Sequence, residues 1–122
     1  MIEKKLIIAI HKRLIAQFGG IEGVRDDGLL DSALAHPQHK RVYDKDADVF
    51  DLTASLCYAL IKNHPFVDGN KRVGAVVCEF VLIKNGYEIK ATEEEKYVIF
   101  MGVAAGEITE EELSVWLSEN VK

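Results

Sequence analysis

The run from Val73 to Asn85 constrains the fold more than any other stretch of the chain. It reads Val73, Gly74, Ala75, Val76, Val77, Cys78, Glu79, Phe80, Val81, Leu82, Ile83, Lys84, so a single glutamate interrupts its apolar character before Lys84. A helix apolar on most sides belongs inside a domain. The expected fold class is all-α, a compact bundle of about six helices around this central buried segment, with at most a short extended connector at Tyr87–Lys90.

In front of that helix stands His64-Pro65-Phe66-Val67-Asp68-Gly69-Asn70-Lys71-Arg72. It has little hydrophobic periodicity and a dense set of reactive side chains. Pro65 ends the preceding helix, because it lacks an N–H and biases His64 away from helical dihedrals. Gly69 gives the backbone freedom for a tight turn before a new helix starts near Asn70. Lys71 and Arg72 then fall at a helix N-terminus, where each opposes the macrodipole by roughly 0.3–1 kcal/mol. Cations placed there against the rule point to an anion, with free N–H groups and both side chains forming a phosphate cradle. Asp68 suits Mg²⁺, which binds through one or two carboxylates plus phosphate oxygens and waters. His64, at the end of the previous helix, is the candidate general base.

These nine residues resemble the signature loop of the Fic superfamily, and the Asn70-Lys71-Arg72 ending is similar to its Doc (death-on-curing) branch. The likeness extends to Ile10-His11, Phe18-Gly19-Gly20, Gly23-Val24-Arg25-Asp26 and Gly102 to Thr109. It implies a Fic-like helical fold and a Doc-like toxin that moves the γ-phosphate of ATP to a hydroxyl of a protein, elongation factor Tu, so blocking translation. His64 would be the base, Asp68 the Mg²⁺ carboxylate, and Gly69, Asn70, Lys71 and Arg72 the ATP-binding set, Lys71 and Arg72 also acting in catalysis. A Phd-like antitoxin would be the restraining partner. Lys71 takes the place of a typical Fic glycine and Ala75 that of its second arginine, which favours phosphate transfer. AMP transfer by a Fic-type enzyme, and a non-catalytic relative that binds nucleotide or antitoxin, stay open as alternatives.

The single residues also have plainer roles. Phe66 reads as a hydrophobic pin that anchors the loop on the core. Asp68 can cap the helix that follows, and so can Asn70, whose carboxamide contacts nucleotide phosphate only by the family likeness.

Composition sets the remaining bounds. A chain of 122 residues, 48% hydrophobic, suffices for one domain spanning residues 1–122. Its net charge of −5 argues against direct nucleic-acid or membrane binding and suits a basic partner. Cys57 and Cys78 lie in apolar helical patterns without CxxC spacing and read as reduced core residues. With no signal segment and no run of about 18 apolar residues, a cytoplasmic location is expected.

Along the chain, Leu6, Ile7, Ile10, Leu14 and Phe18 mark a first helix over Ile2–Phe18 that Gly19-Gly20 ends. His11, on or beside its apolar stripe, reads as a partly buried histidine with one hydrogen bond. Asp26 or Asp27 caps a short helix that Pro37 stops. Arg25 reads as a solvated or ion-paired residue, with a place in the active groove as its second role. His36 to Asp46 reads as a surface loop and candidate flap carrying Tyr43. His36 and His39 flank Pro37 without ligand spacing, which disfavours a metal there. A third helix starts near Asp48 and delivers His64 at its end, while Thr92-Glu93-Glu94-Glu95 and Thr109-Glu110-Glu111-Glu112 are capping boxes that open two more.

Overall fold

Six helices carry the regular structure, which a computed structural model describes from Met1 to Lys122: α1 (Lys4–Phe18), α2 (Asp27–Tyr43), α3 (Val49–Asn63), α4 (Asn70–Lys84), α5 (Glu93–Ala104) and α6 (Glu110–Glu119). Local chemistry explains most of their boundaries. Gly19, at φ 85°, ends α1 and returns its N–H to the Ile15 carbonyl. The Asp26 carboxylate accepts from the Leu29 N–H and starts α2. Reciprocal capping boxes open α3 (Asp48 with Asp51), α5 (Thr92 with Glu95) and α6 (Thr109 with Glu112). Each satisfies two backbone donors that a helix start leaves without partners.

Pro37 does not end α2. The helix runs on to Tyr43, so the expected loop and flap at His36–Asp46 are instead mostly helix. Tertiary contacts outweigh the local cost of the proline. Pro37 is buried, and Glu110 of α6 draws in both neighbouring turns, with an oxygen 2.9 Å from His36 Nε2 and the other 3.5 Å from Lys40 Nζ. Tyr43, at the end of α2, is 72% exposed.

The most central helix is α3, not the apolar run after the loop. α3 packs on α2, α4, α5 and α6, whereas α4 meets α1, α3 and α5. Ile83 of α4 is 62% exposed, and Phe80 is only partly buried beneath the Lys84 ammonium. Small residues on α3, Ala54, Ser55 and Ala59, are buried and let its neighbours approach closely. Gly74 does the same from α4: a Cβ there would stand 2.7 Å from Ile61 Cγ1.

Two apolar clusters share α3 and α4. One joins Ile7, Leu30, Leu56, Leu60, Phe66, Val73 and Val77; the other joins Cys57, Ile61, Cys78, Leu82, Phe100, Val103, Leu113 and Leu117. Both cysteines are free and buried. The hydrogen bond with Cys57, together with burial, pushes the Cys78 thiol well above the ordinary thiol range, so it is no reactive nucleophile. The segment at Tyr87–Lys90 forms one antiparallel bridge, Ile89 to Val121, that ties the C-terminus to the bundle. No helix is long and apolar enough to cross a membrane.

Candidate active site

The loop between α3 and α4 is built from the core outward. Phe66 is 1% exposed and lies flat on the His11 ring of α1, centroids 3.9 Å apart and planes 9° from parallel. His11 Nε2 is 2.7 Å from the Asp68 carbonyl oxygen. A carbonyl can only accept, so Nε2 carries the hydrogen. One buried histidine therefore supports the loop twice, by stacking and by a hydrogen bond. A second support comes from the turn before α2: Val24 forms an antiparallel bridge with Phe66, and the N–H groups of Arg25 and Asp26 donate to the Pro65 carbonyl at 2.8 and 3.1 Å.

Asn70 closes the loop on itself. Its Oδ1 accepts from the Phe66 N–H at 2.9 Å and its Nδ2 donates to the Phe66 carbonyl at 3.0 Å. That pair of hydrogen bonds to one residue fixes which way the carboxamide points and turns Nδ2 toward His64 Nδ1, 3.4 Å away. Both ends of the side chain are thus engaged within the loop, with Phe66 and toward His64.

His64 and Asp68 stand on this platform, both exposed. His64 caps α3 in the left-handed region, at φ 50° and ψ 54°, and is the one non-glycine residue with positive φ. Asp68 accepts from its neighbour, Gly69 N–H to Oδ1 at 2.8 Å, and from Ile21 N–H to Oδ2 at 3.3 Å. Gly20 makes room for that carboxylate, since a Cβ there would come within 2.8 Å of Oδ2. No group of three or more His, Cys, Asp or Glu is placed to hold a metal ion here or elsewhere. One exposed carboxylate nevertheless fits Mg²⁺, an ion that takes most of its ligands from water and phosphate.

Lys71 and Arg72 begin α4, which has no side-chain cap. They diverge. Lys71 Nζ lies 2.8 Å from Met101 Sδ and 4.7 Å from the centre of the Tyr97 ring, both on α5. The Arg72 guanidinium lies 4.3 Å over the ring of Phe18 at the end of α1. Between α4 and α5 a cleft of about 360 Å³ is lined by Lys71, Arg72, Ala75, Val76, Glu79, Glu93, Lys96, Tyr97 and Phe100. A second cleft of about 370 Å³, among Met1, Leu34, Pro37, Arg41 and Leu56, involves none of the loop residues.

All seven residues singled out from the sequence, His64, Phe66, Asp68, Gly69, Asn70, Lys71 and Arg72, thus meet at one junction of α1, α3, α4 and α5. Read from the sequence, Arg25 has a place at the active groove only as its second role, and none of His11, Gly20, Tyr97 and Met101 is singled out as a partner of these residues. The place of His11 on the apolar stripe of α1 was the available signal for one of them.

Comparison with known proteins agrees with this architecture. A model of the Fic/DOC family matches residues 1–82. The chain is similar to Protein kinase doc of Escherichia phage P1, 29% identical over 103 residues that make up 84% of this chain and 81% of that protein. It is also similar to Toxin Doc of Mycolicibacterium smegmatis, 45% identical over 76 residues, or 61% of this chain and 58% of the relative. Fold, loop and relatives together make this chain a member of the Fic/DOC family.

Proposed function

We propose that this chain transfers the γ-phosphate of ATP to a hydroxyl of a protein, residues 1–122 acting as one Fic/Doc domain. The target and the restraint, elongation factor Tu and a Phd-like antitoxin, are what the likeness to the Doc branch implies. One observation carries the reading: Lys71 and Arg72 sit at the uncapped N-terminus of α4 with no carboxylate partner, beside a loop that presents His64 and Asp68. The first N–H groups of a helix lack partners and point at whatever anion binds there. The name of the phage P1 relative, a protein kinase, favours phosphate over AMP as the transferred group.

In this mechanism His64 takes the proton of the target hydroxyl as its oxygen bonds to the γ-phosphorus and the bond to the β–γ bridging oxygen breaks, releasing ADP. Lys71 and Arg72 offset the charge that spreads over the phosphoryl oxygens. Lys71 has to leave Tyr97 and Met101 to do so. Asp68 would hold Mg²⁺, which supplies further charge neutralisation when bound. Asn70 acts on His64 rather than on phosphate. Because it offers an N–H to Nδ1, the resting neutral ring carries its hydrogen on Nε2. Accepting a proton at Nε2 requires Nδ1 to take the hydrogen and give up that contact, whose 3.4 Å length makes the loss small.

The test is transfer from ATP to purified elongation factor Tu and to proteins of a cell lysate. His64→Ala should bind ATP as the parent does and lose about two to four orders of magnitude in rate. Full transfer by the folded variant would remove His64 from the chemistry.

A further inference from the structure

α3 ends differently from the other helices. In α1, α2, α4, α5 and α6 the N–H of the C-cap residue returns to a carbonyl of its own helix; in α3 the His64 N–H makes no such bond. The next residue cannot close the turn either, because Pro65 has no N–H to donate. A left-handed helix end is ordinarily closed by those two donors and built on glycine. Here it is built on a histidine, with neither donor used.

The guanidinium of Arg25 takes their place. Its Nε donates to the His64 carbonyl at 2.7 Å and its Nη2 to the Asn63 carbonyl at 3.0 Å. Both acceptors belong to the negative end of α3, where a cation is favoured. The backbone of the same residue is tied to the Pro65 carbonyl, so Arg25 grips three successive carbonyls, those of Asn63, His64 and Pro65. No carboxylate pairs with it in this structure.

We infer that Arg25 is the positioning residue of the site: its side chain replaces the missing closure of α3 and holds His64 in the left-handed conformation that sets where the imidazole stands. Its part in transfer rests on His64 being the base; the backbone clamp does not. Lysine cannot replace it fully, since one ammonium lacks the planar fork that reaches two carbonyls at once.

The experiment uses the whole chain with Arg25→Ala and Arg25→Lys. The first readout is NMR of His64, whose backbone coupling and carbon shifts report its φ without any need for activity. In Arg25→Ala these should leave their left-handed values while the rest of the spectrum stays folded, and Arg25→Lys should fall between. The second readout is transfer kinetics. Arg25→Ala should lower kcat roughly ten- to a hundredfold, as a misplaced catalytic group does, with the KM for ATP within about twofold, as expected when binding is untouched. Should Arg25→Ala fail to fold, Arg25→Gln, which keeps a donor for one carbonyl, is read in the same two ways. A left-handed His64 in the alanine or glutamine variant overturns the clamp. An unchanged kcat beside a relaxed His64 overturns the positioning role. If the parent chain transfers nothing, the functional reading fails while the NMR still decides the clamp.

Discussion

Lys71 shows how a single side chain can carry two roles. Its ammonium rests on the Tyr97 ring and the Met101 sulfur, whereas the proposed phosphoryl transfer needs it at the nucleotide. A cation over an exposed aromatic ring gains about 0.5–1 kcal/mol. Nucleotide binding has to overcome that contact, so removing it should help: Tyr97→Leu is expected to tighten ATP binding by about two- to fivefold, the same free energy read as affinity. Calorimetry checks this. Weaker binding in the variant would mean that Tyr97 touches the nucleotide itself, and an unchanged affinity would mean that Lys71 never moves to it. Asn70 makes a related point, since by residue type it reads as a helix cap, while its carboxamide bonds Phe66 and turns toward His64.

At the scale of the element, α3 determines where the site stands, and both of its ends are held by other parts of the chain. Arg25 holds the C-terminus. At the N-terminus Asp51 completes the capping box with Asp48 and accepts from the Ser114 hydroxyl of α6 at 2.5 Å. Burial pushes the Asp51 carboxyl up, but the hydrogen bonds from Ser114 and Asp48 outweigh it and leave the group below its ordinary value of 3.8. A folded-state value below the unfolded one means that the ionised form stabilises the fold above the unfolded pKa. That contribution is lost as pH falls through the folded value. Asp51→Ala should therefore cost about 1–2 kcal/mol at neutral pH, and the gap to the parent should narrow as pH falls below about 4, where unfolded aspartates take up their proton. Urea denaturation across that range is the check; a gap that stays constant with pH would show that the carboxylate charge plays no part.

For the whole molecule, the chain's local signals were enough for the class of fold. Capping boxes at Asp48, Thr92 and Thr109 and the glycine at position 19 are short-range features, and each marks a real boundary. The grouping of the loop residues was legible for the same reason, as they are neighbours in sequence. What escaped depends on contacts between distant segments. Glu110 meets His36, beside Pro37, from 74 residues away along the chain, His11 supports the Asp68 carbonyl across 57, and Arg25 reaches His64 across 39. Periodicity also misjudged which helix is central, because an apolar run does not reveal that small residues on α3 admit four neighbours. His11, Asn70 and Arg25 support the loop, and in the proposed function that loop presents a base, a carboxylate and two cations to ATP and a protein hydroxyl. The proposed function turns on which phosphate moves. The most direct measurement supplies ATP labelled at either the α- or the γ-phosphate together with Mg²⁺ and elongation factor Tu or lysate, and follows the label onto protein. Label is expected from the γ position alone; label arriving from the α position would overturn phosphoryl transfer as the activity.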